Sequence, residues 1–378
     1  MRLDAFTERV MRKNKNNKSK LPLTISAQYG LVDQITFFNK VIASTDMSNY
    51  YLLKKGEFAY NKSYSSDYPW GAIKRLDNYE RGALSSLYIC FAPQDNVVSD
   101  FILQYFESPK WHKGVSEIAV EGARNHGLLN VSVQDFFHTY HYVPKDKKEQ
   151  IKIAKLLMLL DERIATQSKI IDKLQSLIKG INQRVFKNSG NNYKLGEICE
   201  IRSGYSGSQL LSKKGLKVSR IETISGHKVN LERVGYVAPF ESSENYKLQV
   251  GDILFSNINS VEYIGNTAFI DKDYDLYHGM NLLRLTPNHM VVIPFYLYLL
   301  LNTNRMLNRF KTICNKAVSQ ASINQTELGK TVVQIPPINT QEQICELYQA
   351  LYTKLETESH TKSLFQNQKQ YLLRQMFI

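Results

Sequence analysis

The second half of this chain restates the first at an offset of 191–195 residues, so whatever unit folds must fold twice. Pro144 followed by Glu149-Gln150-Ile151 matches Pro337 followed by Glu342-Gln343-Ile344. Leu174-Gln175 and residues 183–186 (QRVF) match Phe365-Gln366 and residues 374–377 (RQMF). Residues 51–58 (YLLKKGEF) parallel 246–253 (YKLQVGDI), residues 101–106 parallel 295–300, and Arg2-Leu3-Asp4 stands opposite Lys194-Leu195-Gly196. Each match alone is weak. Six in one order make a tandem duplication.

Each copy divides into a globular part and a helix. Short β-like runs such as Gly251-Asp252-Ile253-Leu254-Phe255 and residues 266–270, separated by Gly, Asn and Ser turns, predict an α/β (α+β) domain. Val143-Pro144 and Pro336-Pro337 then stop a strand and open a helix. In the first helix Ile153, Leu157, Leu160, Ile164, Gln167, Ile171, Leu174, Ile178, Ile181 and Val185 alternate in steps of four and three. That is a heptad seam whose one polar member is Gln167. The second seam, Tyr348, Leu351, Leu355, Glu358, Lys362, Phe365, Lys369, Leu372 and Met376, has a polar middle. The expected organisation is a globular domain at 1–142, a helix within 143–190, a second domain at 191–335 and a second helix within 336–378. Each helix of about 40 residues is roughly 60 Å long. Antiparallel pairing of the helices gives two pseudo-symmetric domains joined by a coiled coil. A rod made for homodimerisation is the alternative.

The 378 residues carry a formal charge of +13, which favours a polyanionic partner. Residues 143–190 hold 11 Lys and Arg against 5 Asp and Glu, both globular parts are also basic, and 336–378 balances at 4 against 4. The longest apolar stretch, 290–301, is broken by Pro294 and too short to span a bilayer. The first residues lack an apolar secretory core. Cys90, Cys199, Cys314 and Cys345 lie far apart, a pattern that fits reduced thiols in a cytoplasm.

Catalytic motifs do not assemble. Gly204-Tyr205-Ser206-Gly207-Ser208 lacks the final glycine of a nucleophile elbow and reads as a turn or polar loop. His138 and His141 lie in an apolar run with no third metal ligand beside them. There is no phosphate loop, no glycine-rich methyl-donor motif and no Asn/Asp-Pro-Pro-aromatic tetrapeptide. The reading is of a binder with no catalytic residue and no metal.

Taken together, the motifs resemble the specificity (S) subunits of type I restriction–modification systems, over essentially the whole chain. The resemblance rests on Leu195-Gly196-Glu197-Ile198, Gly251-Asp252-Ile253-Leu254, and Ile335-Pro336-Pro337 with Glu342-Gln343-Ile344. In the first half it rests on Leu3, Gly56-Glu57-Phe58, Val143-Pro144 with Glu149-Gln150-Ile151, and Leu160-Asp161-Glu162-Arg163-Ile164. It departs at Leu3, which stands nearer the start than is usual in the family, and at the polar middle of the second helix. The resemblance implies two target recognition domains, each reading one half of a split, asymmetric sequence in double-stranded DNA. It implies partners too: two methyltransferase (M) subunits, and restriction/translocase (R) subunits that join later. S-adenosylmethionine and ATP/Mg would then belong to those partners, with no cofactor in this chain. Half-sites read from one face lie about one turn, ~34 Å, apart.

DNA contacts are assigned by residue type, Arg and amides for base edges and Lys or hydroxyls for phosphates. In the first domain these are Arg9, Arg12, Lys13, Lys15, Lys18 and Lys20, then Lys62 and Tyr64, then Arg124, Asn125 and His126. In the second they are Arg202, Tyr205, Ser206, Lys213, Lys214, Arg220, Asn257, Asn259, Lys316, Ser319, Gln320 and Asn324. The loops at Arg124 and Ser319-Gln320 lead, because they fall at equivalent places in both copies. The competing reading is a non-catalytic coiled-coil adaptor whose repeated domains bind protein.

Overall fold

A computed structural model of the chain describes residues 1–40, 43–119, 127–186, 190–316 and 320–377. The chain packs as two compact units, one formed by Met1–Lys169 with Glu358–Ile378 and the other by Ile170–Thr357. Four helices frame the two units: α1 (Ser99–Glu107), α2 (Lys147–Val185), α3 (Pro294–Leu301) and α4 (Ile338–Gln375). Each unit holds one globular domain and a stretch of both long helices, α2 and α4.

In the first unit β1 (Thr7–Arg9), β2 (Phe58–Asn61), β3 (Ala72–Arg75) and β4 (Ile89–Pro93) form an antiparallel sheet in the order β1-β4-β2-β3. Successive side chains of a strand face opposite ways, and both faces of this sheet are covered. Phe58, Tyr60, Ile89 and Phe91 pack with Phe101, Tyr105 and Phe106 of α1, while Ala59 and Cys90 face a second core with Leu53 and Leu84. The two central strands are therefore apolar along most of their length, with Asn61 at the end of β2 the polar exception.

The second unit repeats the plan. β5 (Cys199–Ser203), β6 (Ile253–Phe255), β7 (Thr267–Phe269) and β8 (Leu283–Pro287) pair antiparallel in the order β5-β8-β6-β7. Ile253, Phe255 and Leu285 face the core shared with Leu297 and Leu301 of α3, and Leu254 and Leu282 face the other. Phe58 lies opposite Phe91 as Ile253 lies opposite Leu285.

The Gly-Glu and Gly-Asp motifs enter these central strands by the same turn. Gly56 (φ +87°) and Gly251 (φ +98°) hold the left-handed backbone that favours glycine. Glu57 then accepts from the Lys54 N–H at 2.8 Å, and Asp252 from the Gln249 N–H at 2.7 Å. The opening leucines correspond as well: Leu3 and Leu195 are fully buried, and their N–H groups donate to the Thr139 and Thr331 carbonyls, each at 2.9 Å.

Every seam residue of the two long helices is buried or half-buried. In the first unit Leu157 shares a core with Leu373 and Phe377, Lys369 pairs with Asp161 at 2.5 Å, and Arg163 stacks on Phe365 at 5.6 Å. Gln167 donates to the backbone and side chain of Glu358. Rising numbers on α2 meet falling numbers on α4, so these stretches run antiparallel. In the second unit Ile178, Tyr348, Leu351 and Leu355 form the equivalent layer, and Tyr348 donates to Asn182.

Candidate nucleic-acid interface

The basic stretch near the N-terminus is a loop built by a buried asparagine. Asn14 accepts from the Ser19 N–H at 2.8 Å and donates to the Ser19 carbonyl at 2.9 Å. Asn16 (φ +59°) and Asn17 (φ +49°) carry the left-handed backbone that such a tight loop requires. Lys15, Lys18 and Lys20 project from it into solvent, and Arg9 is exposed at the end of β1. Two exposed neighbours have partners within the fold. Arg12 donates to both carboxylate oxygens of Glu57, at 2.6 and 2.8 Å, and Lys13 donates to the Asn49 carbonyl at 2.8 Å over the Tyr51 ring.

A second cluster recurs at matching places in both units. In the first, the Leu129 N–H donates to the Lys62 carbonyl and the Tyr64 N–H to the Gly127 carbonyl, at 2.9 and 3.1 Å. Lys62 and Tyr64 thus stand beside the end of the loop that carries Arg124, Asn125 and His126; those three lie outside the described residues. In the second, the Ile323 N–H donates to the Asn257 carbonyl at 2.9 Å. Ile258–Asn259 pairs with Ala321–Ser322, which pairs in turn with Asn315–Lys316. Ser319 lies outside the described residues, whereas Lys316 and Gln320 are exposed on this hairpin. Three of the asparagines brace it: Asn257 donates to the Ile323 carbonyl at 3.4 Å, Asn259 accepts from the Ser260 N–H at 2.8 Å, and Asn324 caps the helix Gln325–Gly329.

The second unit also has an open polar concavity that includes Arg202, Ser203, Asn245, Tyr246, Arg284 and Gln325. Arg202 is steered by Glu200 at 2.6 Å on the same face of β5. Gln325 donates to the Ile201 carbonyl, and Arg284 sits 2.9 Å from Asp252 and donates to the Lys247 carbonyl at 3.0 Å. Sequence reasoning found Arg202 here but missed Asn245, Arg284 and Gln325, which come from three distant segments. Tyr205 is half-buried, its ring stacked on Phe240 at 3.9 Å. Ser206, Lys213 and Lys214 belong to the following loop, where both lysines are exposed, and Arg220 pairs with Glu222 at 3.5 Å.

The two histidines of the HxxH pair part company. His141 is buried and hydrogen-bonded with Tyr105 at 3.0 Å and Thr139 at 2.7 Å; burial first, then the N-terminal ammonium, pushes its pKa down to about 3. His138 points toward Asp4 at 3.9 Å. Among the described residues no cluster of three or more His, Cys, Asp or Glu could hold a metal, and no helix is long and apolar enough to cross a membrane. The four cysteines are free and buried; burial raises Cys90 and Cys199 to about 12.

Known proteins are similar to this chain in sequence or in fold. Residues 189–364 match the family described as type I restriction modification DNA specificity domain. The chain is 38% identical over 188 residues to a putative type I restriction enzyme MjaX specificity subunit of Methanocaldococcus jannaschii, covering 49% of this chain and 44% of that protein. It is 27% identical over 133 residues to the HindI specificity subunit of Haemophilus influenzae, covering 35% and 28%. The matched stretches thus span less than half of these curated relatives. Two solved structures share the fold along nearly the whole chain. One concerns the assembly and conformational transition of the type I R-M system, with a TM-score of 0.61 at 16% identity over 99% of this chain and 95% of that one. The other is the type I S subunit from M. genitalium, with 0.58 at 15% identity over 100% and 95%. Residues 189–364 are therefore similar to the type I restriction modification DNA specificity domain, within a chain that shares the fold of the M. genitalium type I S subunit.

Proposed function

We propose that each globular domain reads one half of a split, asymmetric DNA target, and that the chain does no chemistry on the DNA itself. The observation that carries this is one scaffold presenting unlike side chains at equivalent places. Lys62 and Tyr64 stand beside one loop, and the Asn257–Asn259 segment beside its counterpart. A shared frame with divergent contacts suits two different half-sites.

Two M subunits dock on the long helices, and R subunits join them; S-adenosylmethionine and ATP/Mg are bound by those partners, in the cytoplasm. Leu156 on α2 and Leu347 on α4 support paired docking. They occupy the same position in the repeat and are left 44% and 41% exposed. An exposed leucine kept in both copies offers the same apolar contact twice, which suits two copies of one partner.

Methylome sequencing of cells with and without this chain, each supplied with its M subunit, tests the reading. One bipartite motif with unlike halves should appear only when the chain is present. Methylation that is unchanged by its loss, or methylation or cleavage by the purified chain alone, would overturn it.

A further inference from the structure

The loop at 206–215 leaves β5 directly after Arg202 and Ser203, two residues of the polar concavity. Both of its ends are fixed. Ahead of it, the Tyr205 ring lies flat on Phe240 and edge-on to Tyr246, which borders the same concavity. The Leu210 N–H then donates to the Tyr236 carbonyl at 2.7 Å. On the far side Gly215 (φ +127°) runs so close to Val237 that a Cβ would lie 2.3 Å from its carbonyl oxygen. Between these anchors Leu211, Ser212, Lys213 and Lys214 all stand in solvent, and Leu211 is fully exposed. Among the described residues no carboxylate pairs with Lys213 or Lys214.

We infer that Leu211 is an apolar wedge that enters the target duplex between two stacked bases, with Lys213 and Lys214 on the flanking phosphates. The inference rests on the reading of this chain as a DNA-specificity subunit. Leaving a whole leucine side chain in water is unfavourable, and nothing in its own fold relieves it. A single apolar side chain covers the area of one base step, much less than a protein interface needs. Two lysines on the same tip supply the charge that phosphates call for. The pinned stem holds the tip in place before binding, so little ordering is lost on contact.

The test uses the full chain and a random-sequence duplex pool, from which retained duplexes are selected. The selected duplex is then set at varied positions in a longer fragment, and its bend is read from gel mobility for the wild type, Leu211→Ala and Leu211→Met. The wild type should kink the DNA. Leu211→Ala should straighten it and weaken binding about tenfold, while Leu211→Met keeps both, since methionine also serves as a wedge. Leu211 is fully exposed, so neither change endangers the fold. If Leu211→Ala binds and bends as the wild type does, the wedge is wrong and the specificity reading stands. If the wild type enriches no sequence from the pool, the specificity reading itself fails and the wedge falls with it.

Discussion

Gln150 clamps the start of α1 to the start of α2: its side chain accepts from the Val98 N–H at 2.7 Å and donates to the Pro144 carbonyl at 2.7 Å. Gln341 does the same in the second unit, accepting from the Ile293 N–H and donating to the Pro336 carbonyl, each at 2.8 Å. Both glutamines are buried. Replacing either by leucine strands a backbone N–H and a carbonyl inside the core, which costs about 1–3 kcal/mol. Gln150→Leu and Gln341→Leu should each lower the urea midpoint by a comparable amount. Substitution of exposed Gln343 should leave it unchanged.

That contrast shows where the sequence was legible. The duplication, the heptad seam and the Gly-Glu/Asp turns could all be read, because each is a local pattern with a fixed period or backbone requirement. The seam even matches itself throughout at an offset of 191, which sets its polar member Gln167 opposite its own counterpart Glu358. The helix-start motif was misaligned: Gln150 resembles Gln343 by its neighbours, but the bonds make Gln341 its equivalent. Burial decides which glutamine is the clamp, and burial depends on α1 and α3, some fifty residues away in the sequence. The same limit applies at the interface. Arg12 and Lys13 looked like free cations because Glu57 and the Asn49 carbonyl reach them only through tertiary folding.

Buried histidines make stability depend on pH. His141 has its pKa held down to about 3 and His278 to about 4, against 6.5 in an unfolded chain, mainly through desolvation. Between those values the unfolded chain binds a proton that the folded chain refuses. Stability is therefore complete above about 6.5 and falls as pH drops toward the folded values, by up to about 1.4 kcal/mol per pH unit for each histidine. Urea unfolding at several pH values should show this slope, and His141→Gln should reduce it by about one proton. An unchanged slope would mean that His141 is protonated in the folded protein.

Lys15, Lys18 and Lys20 project from the Asn14 loop with no acidic partner among the described residues. If they meet phosphates, replacing all three by alanine weakens DNA binding without changing the target. The slope of log K against log salt should shrink by up to about 0.9 per lysine in contact. Arg202→Ala should behave differently, altering preference within the half-site of the second domain and leaving the other half as it was. Equal loss at both halves would move Arg202 from base reading to general support.

If the two M subunits proposed above dock at Leu156 and Leu347, substitutions there separate one docking event from the other. Each is exposed on its helix, so Leu156→Asp and Leu347→Asp leave the fold intact while placing a charge where an apolar anchor is needed. Mass photometry of the chain mixed with excess M subunit should then count partners directly. The wild type should carry two, each single variant one, and the double variant none. DNA methylation should fall in step if each docked M subunit modifies the half-site on its own side. Two bound copies in the double variant would show that docking uses another face of the helices, and the repeat of exposed leucines would then need a different explanation.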